Sequence, residues 1–175
     1  VNTKTIDLSI LRSSITFIPQ EPFLMNGTLR YNCDPLNRYK DEEILSVLKE
    51  IGFSLRNEGL EMKIAQEGSN LSIGERQLIC ISRGILRNTK IILTDEASSN
   101  IDSNTEEKVQ EAFNKYFKNC TVLSIAHRIK SIMNYDRILV VDMGKIIEDD
   151  TPQNLLSRKD SKFNKLYKNT QLQAV

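Results

Sequence analysis

Two adjacent carboxylates at the end of an apolar run are the residues of this chain best placed to do chemistry. Ile91-Ile92-Leu93-Thr94 reads as a buried strand, and Asp95-Glu96 follow it directly. Carboxylates at the end of a buried strand are costly unless they meet a cation, a proton or hydrogen bonds. In open α/β sheets the carboxyl ends of strands are where ligands bind. The expected roles are Mg²⁺ binding for Asp95, directly or through water, and polarisation of an attacking water for Glu96. A loop salt bridge after a core strand is the structural alternative.

Leu71-Ser72-Ile73-Gly74-Glu75-Arg76-Gln77 forms a second candidate. Ser72 is a good helix N-cap, and Glu75 three residues later completes a capping box. A well-capped helix would account for that much. The exposed backbone N–H groups and the positive end of the helix also make an anion site. Gly74 permits close backbone approach, and the Ser72 hydroxyl can donate to a phosphate oxygen. His127, the single histidine, follows the strand-like Thr121-Val122-Leu123-Ser124-Ile125 and Ala126. It is expected at the same sheet edge as Glu96, aligning water and transferring charge at a γ-phosphate. Gln20 follows Pro19 after another strand and can offer its amide oxygen to Mg²⁺ or water. Alone, it would pass for a turn residue.

The elements that must carry these residues alternate. Ile15-Thr16-Phe17-Ile18 predicts a strand stopped by Pro19, Gly27 to Tyr31 a short helix, and Asp34 to Asn37 a turn. Ile44, Leu45, Leu48 and Ile51 recur at helical spacing after Asp41-Glu42-Glu43, and Gly52 closes that helix. Arg56 to Asn70 reads mostly as loop. Ser72 opens a helix through Arg87, and Asp102 or Ser103 caps another through Val109, Ala112 and Phe113. Arg137 to Val141 predicts a strand, turned at Gly144 into a hairpin with Lys145 to Glu148. Pro152 opens a short helix, Phe163 to Tyr167 lie in a last one, and the tail after Asn169 is expected to fray. Strands alternating with helices imply an α/β domain with a largely parallel sheet.

Composition bounds the rest. The 175 residues suffice for one domain with a real core. With 24 basic and 23 acidic side chains, whole-chain charge argues for neither nucleic acid nor an anionic membrane as partner. No apolar run is long enough to span a bilayer, so the segment itself is expected to be soluble. Cys33, Cys80 and Cys120 form no metal-spaced pair and suggest reduced thiols, with Cys80 and Cys120 in the core. The first residue is Val1, introduced by no capping or turn signal, which suggests a chain cut from something longer.

In the order Gln20, Leu71 to Gln77, Asp95-Glu96, Asp102 and His127, the series resembles the ATP-binding cassette (ABC) ATPases over nearly the whole chain. Gln20 matches the Q-loop, Leu71 to Glu75 the signature motif, and Ile91 to Glu96 the Walker B strand. Ser98 to Asp102 matches the D-loop, and Ala126-His127-Arg128 the switch histidine. Phe17 to Leu24, Gly27 to Pro35, Arg76-Gln77 and Cys120 to Leu123 look like subfamily C, the multidrug-resistance-associated type. The intact Glu96 and the Asn32 to Asp34 segment resemble its second nucleotide-binding domain. The resemblance implies a P-loop NTPase-like α/β domain in which residues 27–88 form a helical signature subdomain. The rest would be a RecA-like core, with 170–175 as a tail. It implies ATP and Mg²⁺ as cofactors, Gln20, Ser72, Gly74, Glu75 and Asp102 at nucleotide, Asp95 and Gln20 at the metal, and Glu96 and His127 in catalysis. Ser72 and Gly74 would act on the nucleotide of an opposing domain. The implied partners are that second nucleotide-binding domain and the transmembrane domains of an exporter, at the cytoplasmic face of a membrane, with the region after Gln20 near the membrane helices. No nucleic acid is expected.

The sequence departs from the pattern twice. A G-x-x-x-x-G-K-[ST] P-loop is absent: the sole Gly-Lys pair is Gly144-Lys145, with Leu139 where the first glycine would stand. By resemblance the P-loop would lie upstream of Val1, and this chain alone is expected to be inactive. Glu75 stands where the family commonly has Gln, and its carboxylate would repel the opposing nucleotide. Two other readings stay open: a non-catalytic truncated or regulatory half-domain, and a soluble ABC-type ATPase acting on nucleic acid or ribosomes.

Overall fold

Capping residues punctuate the chain at most of its element boundaries. The computed structural model describes residues 2–95, 103–126 and 129–172. The chain divides into two compact units, residues 1–125 and 126–175.

In the first unit, Asn2 caps a 3-10 turn at Thr3–Thr5. Asp7 then accepts hydrogen bonds from Ser9 and caps α1 (Leu8–Ser14). That helix has no counterpart in the sequence reading. None of its residues is buried, so it shows no apolar stripe to detect. β1 (Ile15–Ile18) follows as expected. The helix expected from Gly27 starts two residues later, because β2 (Gly27–Thr28) pairs antiparallel with β3 (Lys63–Ile64). Thr28 accepts from the Tyr31 amide and caps α2 (Leu29–Cys33). In α3 (Asp41–Glu50) the Glu43 carboxylate accepts from the Lys40 amide, and Gly52 ends the turn at φ 73°.

α4 (Ile73–Arg87) is the spine of this unit, closed at its end by Asn88 in the left-handed conformation. It packs on β1, α2, α3 and α5 (Ser103–Tyr116). Gly84 lets it approach so closely: a Cβ there would lie 3.1 Å from both Phe117 Cζ and Thr16 Cγ2. β4 (Ile91–Asp95) pairs in parallel with β1 on one side and β5 (Thr121–Ile125) on the other. Successive strand residues face opposite sides. Thr16 and Ile18 of β1 and Ile92 and Thr94 of β4 are buried. The other face carries the row Phe17, Leu93 and Leu123, in register, with Phe17 58% and Leu123 50% exposed. Parallel sheets are ordinarily covered on both faces; among the described residues this one is covered on one.

Cys33 and Cys80 are buried and Cys120 is only half-buried, which exchanges the expected places of Cys33 and Cys120. Burial pushes the Cys33 thiol up to about 11 and raises that of Cys80 too, so both pack as neutral thiols.

In the second unit β6 (Ile138–Asp142) and β7 (Lys145–Asp150) form the expected hairpin. Its turn places Met143 at φ 47° and Gly144 at φ 75°, as a two-residue type I′ connection requires. Thr151 caps α6 (Pro152–Ser157), with Pro152 in the first turn. α7 (Lys162–Leu172) continues through Thr170, past the point where fraying was expected. Ile138, Leu155 and Phe163 make this unit's small core.

Candidate functional site

The parallel register brings two of the sequence-marked residues, Gln20 and Asp95, to one edge. Ile18 pairs with Thr94, so Asp95, the last residue of β4, and Gln20, two residues past β1, lie at the carboxyl ends of adjacent strands. Asp95 in turn pairs with Ile125, the last residue of β5. Asp95 is half-buried, and no described residue forms an ion pair with it. Glu96, Asp102 and His127, along with Ser98 to Ile101 and Arg128, lie outside the described residues.

The start of α4 has a different character. Ser72 Oγ accepts from the Glu75 amide at 3.1 Å, and the Glu75 carboxylate accepts from the Ser72 amide at 2.8 Å. The capping box read from S-x-x-E is therefore closed on both sides. Ser72 is exposed, and its hydroxyl hydrogen stays available to a phosphate oxygen. Glu75 is half-buried and holds a carboxylate against the helix start, while Gly74 is buried within the first turn.

An open cleft of about 530 Å³ lies between the segment after β1 and the first turn of α4. Gln20, Glu21 and Phe23 line it from the segment after β1, Ile73 and Arg76 from α4, and Glu67 from the turn before that helix. Gln77 ties the sides together: it is 1% exposed and its Nε2 donates to the Pro19 carbonyl at 3.3 Å. Arg76 donates to the Glu67 carbonyl at 3.1 Å. Among the described residues, Arg76 Nε and Gln77 Oε1 are buried without a hydrogen-bond partner. Glu67 is not singled out by its sequence context, and Gln77, marked there only as part of the signature stretch, shows its tie to Pro19 only once its tertiary partner is known.

Among the described residues no three His, Cys, Asp or Glu side chains gather as a metal site. Mg²⁺ needs no such cage, because it usually takes one or two protein carboxylates and completes its shell with phosphate and water. A single strand-end carboxylate such as Asp95 fits that requirement.

The family model described as "ABC transporter" matches residues 1–99, more than half of the chain. This chain belongs to the ABC transporter family. "ABC transporter C family member 1" of Dictyostelium discoideum is 44% identical to this ABC domain over 172 residues, which cover 96% of the chain. "ATP-binding cassette sub-family C member 4" of Homo sapiens is 43% identical over 168 residues, covering 94% of it. The chain spans only 13% of the length of each of these relatives. A bacterial Atm1-family ABC exporter solved with ATP bound superposes on 93% of the chain with a TM-score of 0.82 at 28% identity, and the match takes in 29% of that structure. The subfamily C character and the P-loop NTPase-like fold implied by the motifs both stand. No helix among the described residues is long and apolar enough to cross a membrane.

Proposed function

We propose that this ABC domain serves as an ATP-hydrolysing part of a subfamily C exporter, at the cytoplasmic face of a membrane, coupling ATP binding and hydrolysis to transport. The observation that carries the reading is the shared edge of β1 and β4, where Asp95 ends β4 and Gln20 follows the end of β1. Asp95 and the Gln20 amide would hold Mg²⁺, which when bound neutralises charge on the β- and γ-phosphates. Glu96, next in sequence, would take the proton of the attacking water, and His127 would orient that water. Ser72, Gly74 and the D-loop Asp102 would meet the nucleotide of an opposing domain, most simply the first nucleotide-binding domain of the same transporter. Glu75 would set a negative charge beside it. The division of labour between a helical subdomain at residues 27–88 and a RecA-like core belongs to the same proposal. So does the docking of transmembrane segments near Phe23, which is 65% exposed beside the Gln20 cleft.

The chain contains no P-loop sequence to cradle the β- and γ-phosphates. The uncovered row of Phe17, Leu93 and Leu123 fits a sheet whose second layer is supplied by a P-loop-bearing segment. On this reading the 175 residues alone bind ATP weakly and do not turn it over. Equilibrium binding of labelled ATP to the purified chain tests that. Affinity no tighter than about millimolar is expected; micromolar affinity with steady hydrolysis overturns it.

A further inference from the structure

A second cleft, of about 320 Å³, opens where α1, the loop after α2 and the C-terminal half of α4 meet. Four arginines line it: Arg12, Arg38, Arg83 and Arg87. They come from three separate parts of the chain, so the concentration of charge is produced by folding alone. The one acidic residue in the wall, Asp34, is already engaged: its Oδ2 accepts from the Arg38 amide at 2.6 Å and the Tyr39 amide at 2.8 Å.

Two of the guanidinium groups are fixed by neutral acceptors. Arg83 donates from Nε to the Asn32 carbonyl at 2.5 Å and from Nη1 to the Phe23 carbonyl at 3.1 Å. Arg87 Nη2 donates to the Arg12 carbonyl at 2.7 Å. These bonds orient the side chains, and neither guanidinium forms an ion pair among the described residues. The side chains of Arg12 and Arg38 make no ion pair among the described residues, whereas Arg30, just outside the cleft, pairs with Asp41 at 2.7 Å. Helix C-termini favour cations, which suits Arg12 at the end of α1 and Arg87 at the end of α4. That preference explains neither Arg38, which lies on a loop, nor the convergence of all four on one concavity.

We propose that this cleft binds a small ligand carrying at least two phosphate groups. Planar guanidinium forks match phosphate oxygens in pairs, and the wall sums to four cationic and one anionic side chain. The volume sits at the small end of ligand pockets, roughly 300–1,000 Å³, which favours a compact polyanion over a folded partner. The site is distinct from the Gln20 cleft, since the two share no lining residue.

Inorganic pyrophosphate serves as the probe, titrated calorimetrically into the 175-residue chain at low and moderate salt. Saturable binding to one site is expected, weakened tenfold or more in the double variant R12A/R38A and by less than twofold in K49A/K118A, which removes charge elsewhere. A parallel measurement needs no variant: phenylglyoxal labels exposed arginines, and pyrophosphate should protect Arg12 and Arg38 but not Arg56. A third arm uses vesicles containing a phosphorylated phosphoinositide. Absence of pyrophosphate binding up to millimolar concentration overturns the proposal. Equal weakening by both double variants, absence of selective protection, or capture by vesicles without capture of free pyrophosphate does the same.

Discussion

The start of α4 and the end of β4 are both expected to face nucleotide, yet the chain treats their polar groups in opposite ways. At the helix start, Ser72 and Glu75 satisfy each other's backbone amides within one turn. At the strand end, Asp95 stands half-buried with no ion pair among the described residues. The first region is complete as a local structure and can be stable before any ligand arrives. The second keeps a carboxylate without an ion pair among the described residues, at a strand end where a cation would stabilise it. Structural self-sufficiency and chemical readiness are thus divided between two segments about twenty residues apart in sequence.

Glu96→Gln in the full-length transporter should separate the regions most sharply. Loss of a general base is worth roughly 10²- to 10⁴-fold in turnover, with ATP binding retained; steady-state hydrolysis beside nucleotide trapping measures both. Turnover within a few-fold of the parent would remove Glu96 from the catalytic role.

Stability supplies the next effect. Ile92 is fully buried beneath α4 and α5, and Ile92→Ala should cost about 2–5 kcal/mol in denaturant unfolding of this chain. Leu123→Ala on the uncovered face should cost far less, because that side chain is 50% exposed. Equal losses would contradict the one-sided burial of the sheet.

The cap offers a finer contrast. Ser72→Ala should lower stability by about 1 kcal/mol, since it strands the Glu75 amide. Glu75→Gln keeps an acceptor for the Ser72 amide, so stability should change by no more than about 0.5 kcal/mol. Turnover in the full-length transporter should rise, as the charge facing the opposing nucleotide is removed. Unchanged or lower turnover would mean that the carboxylate does not repel it.

The smallest expected effect lies in the second unit. Burial pushes the Glu148 carboxyl up, but bonds from the Phe163 and Lys162 amides and the Ser161 hydroxyl outweigh it and hold the group below its usual range. A depressed folded value contributes stability above the unfolded pKa and loses it as pH falls through the folded value. Thermal stability should therefore decline from about pH 5 downward, and the decline should be shallower in Glu148→Gln.

How much was legible depended on the range of the interaction. Ser72 with Glu75, Pro152 and Gly144 act within a few residues, so their patterns announce a capped helix, a helix start and a hairpin. Most elements beyond the caps followed from apolar spacing: β1, α3, α4, β4 and β5 were all readable. α1 was not, because a helix that buries nothing carries no stripe. Gly27-Thr28 was misassigned because its partners, Lys63-Ile64, lie far along the chain.

By itself the sequence determined the order of motifs, the capping of α4, the family resemblance and the carboxylate pair after β4, since each depends on residue type at short spacing. Only the tertiary structure decided that β4 lies between β1 and β5, that Gln77 holds Pro19, and that Cys33 is better buried than Cys120. It also decided that four arginines spread from Arg12 to Arg87 share one cleft. The physical reason is common to all of these. Parallel pairing, side-chain burial and charge convergence are set by contacts between distant segments, and no local propensity encodes which segments will meet.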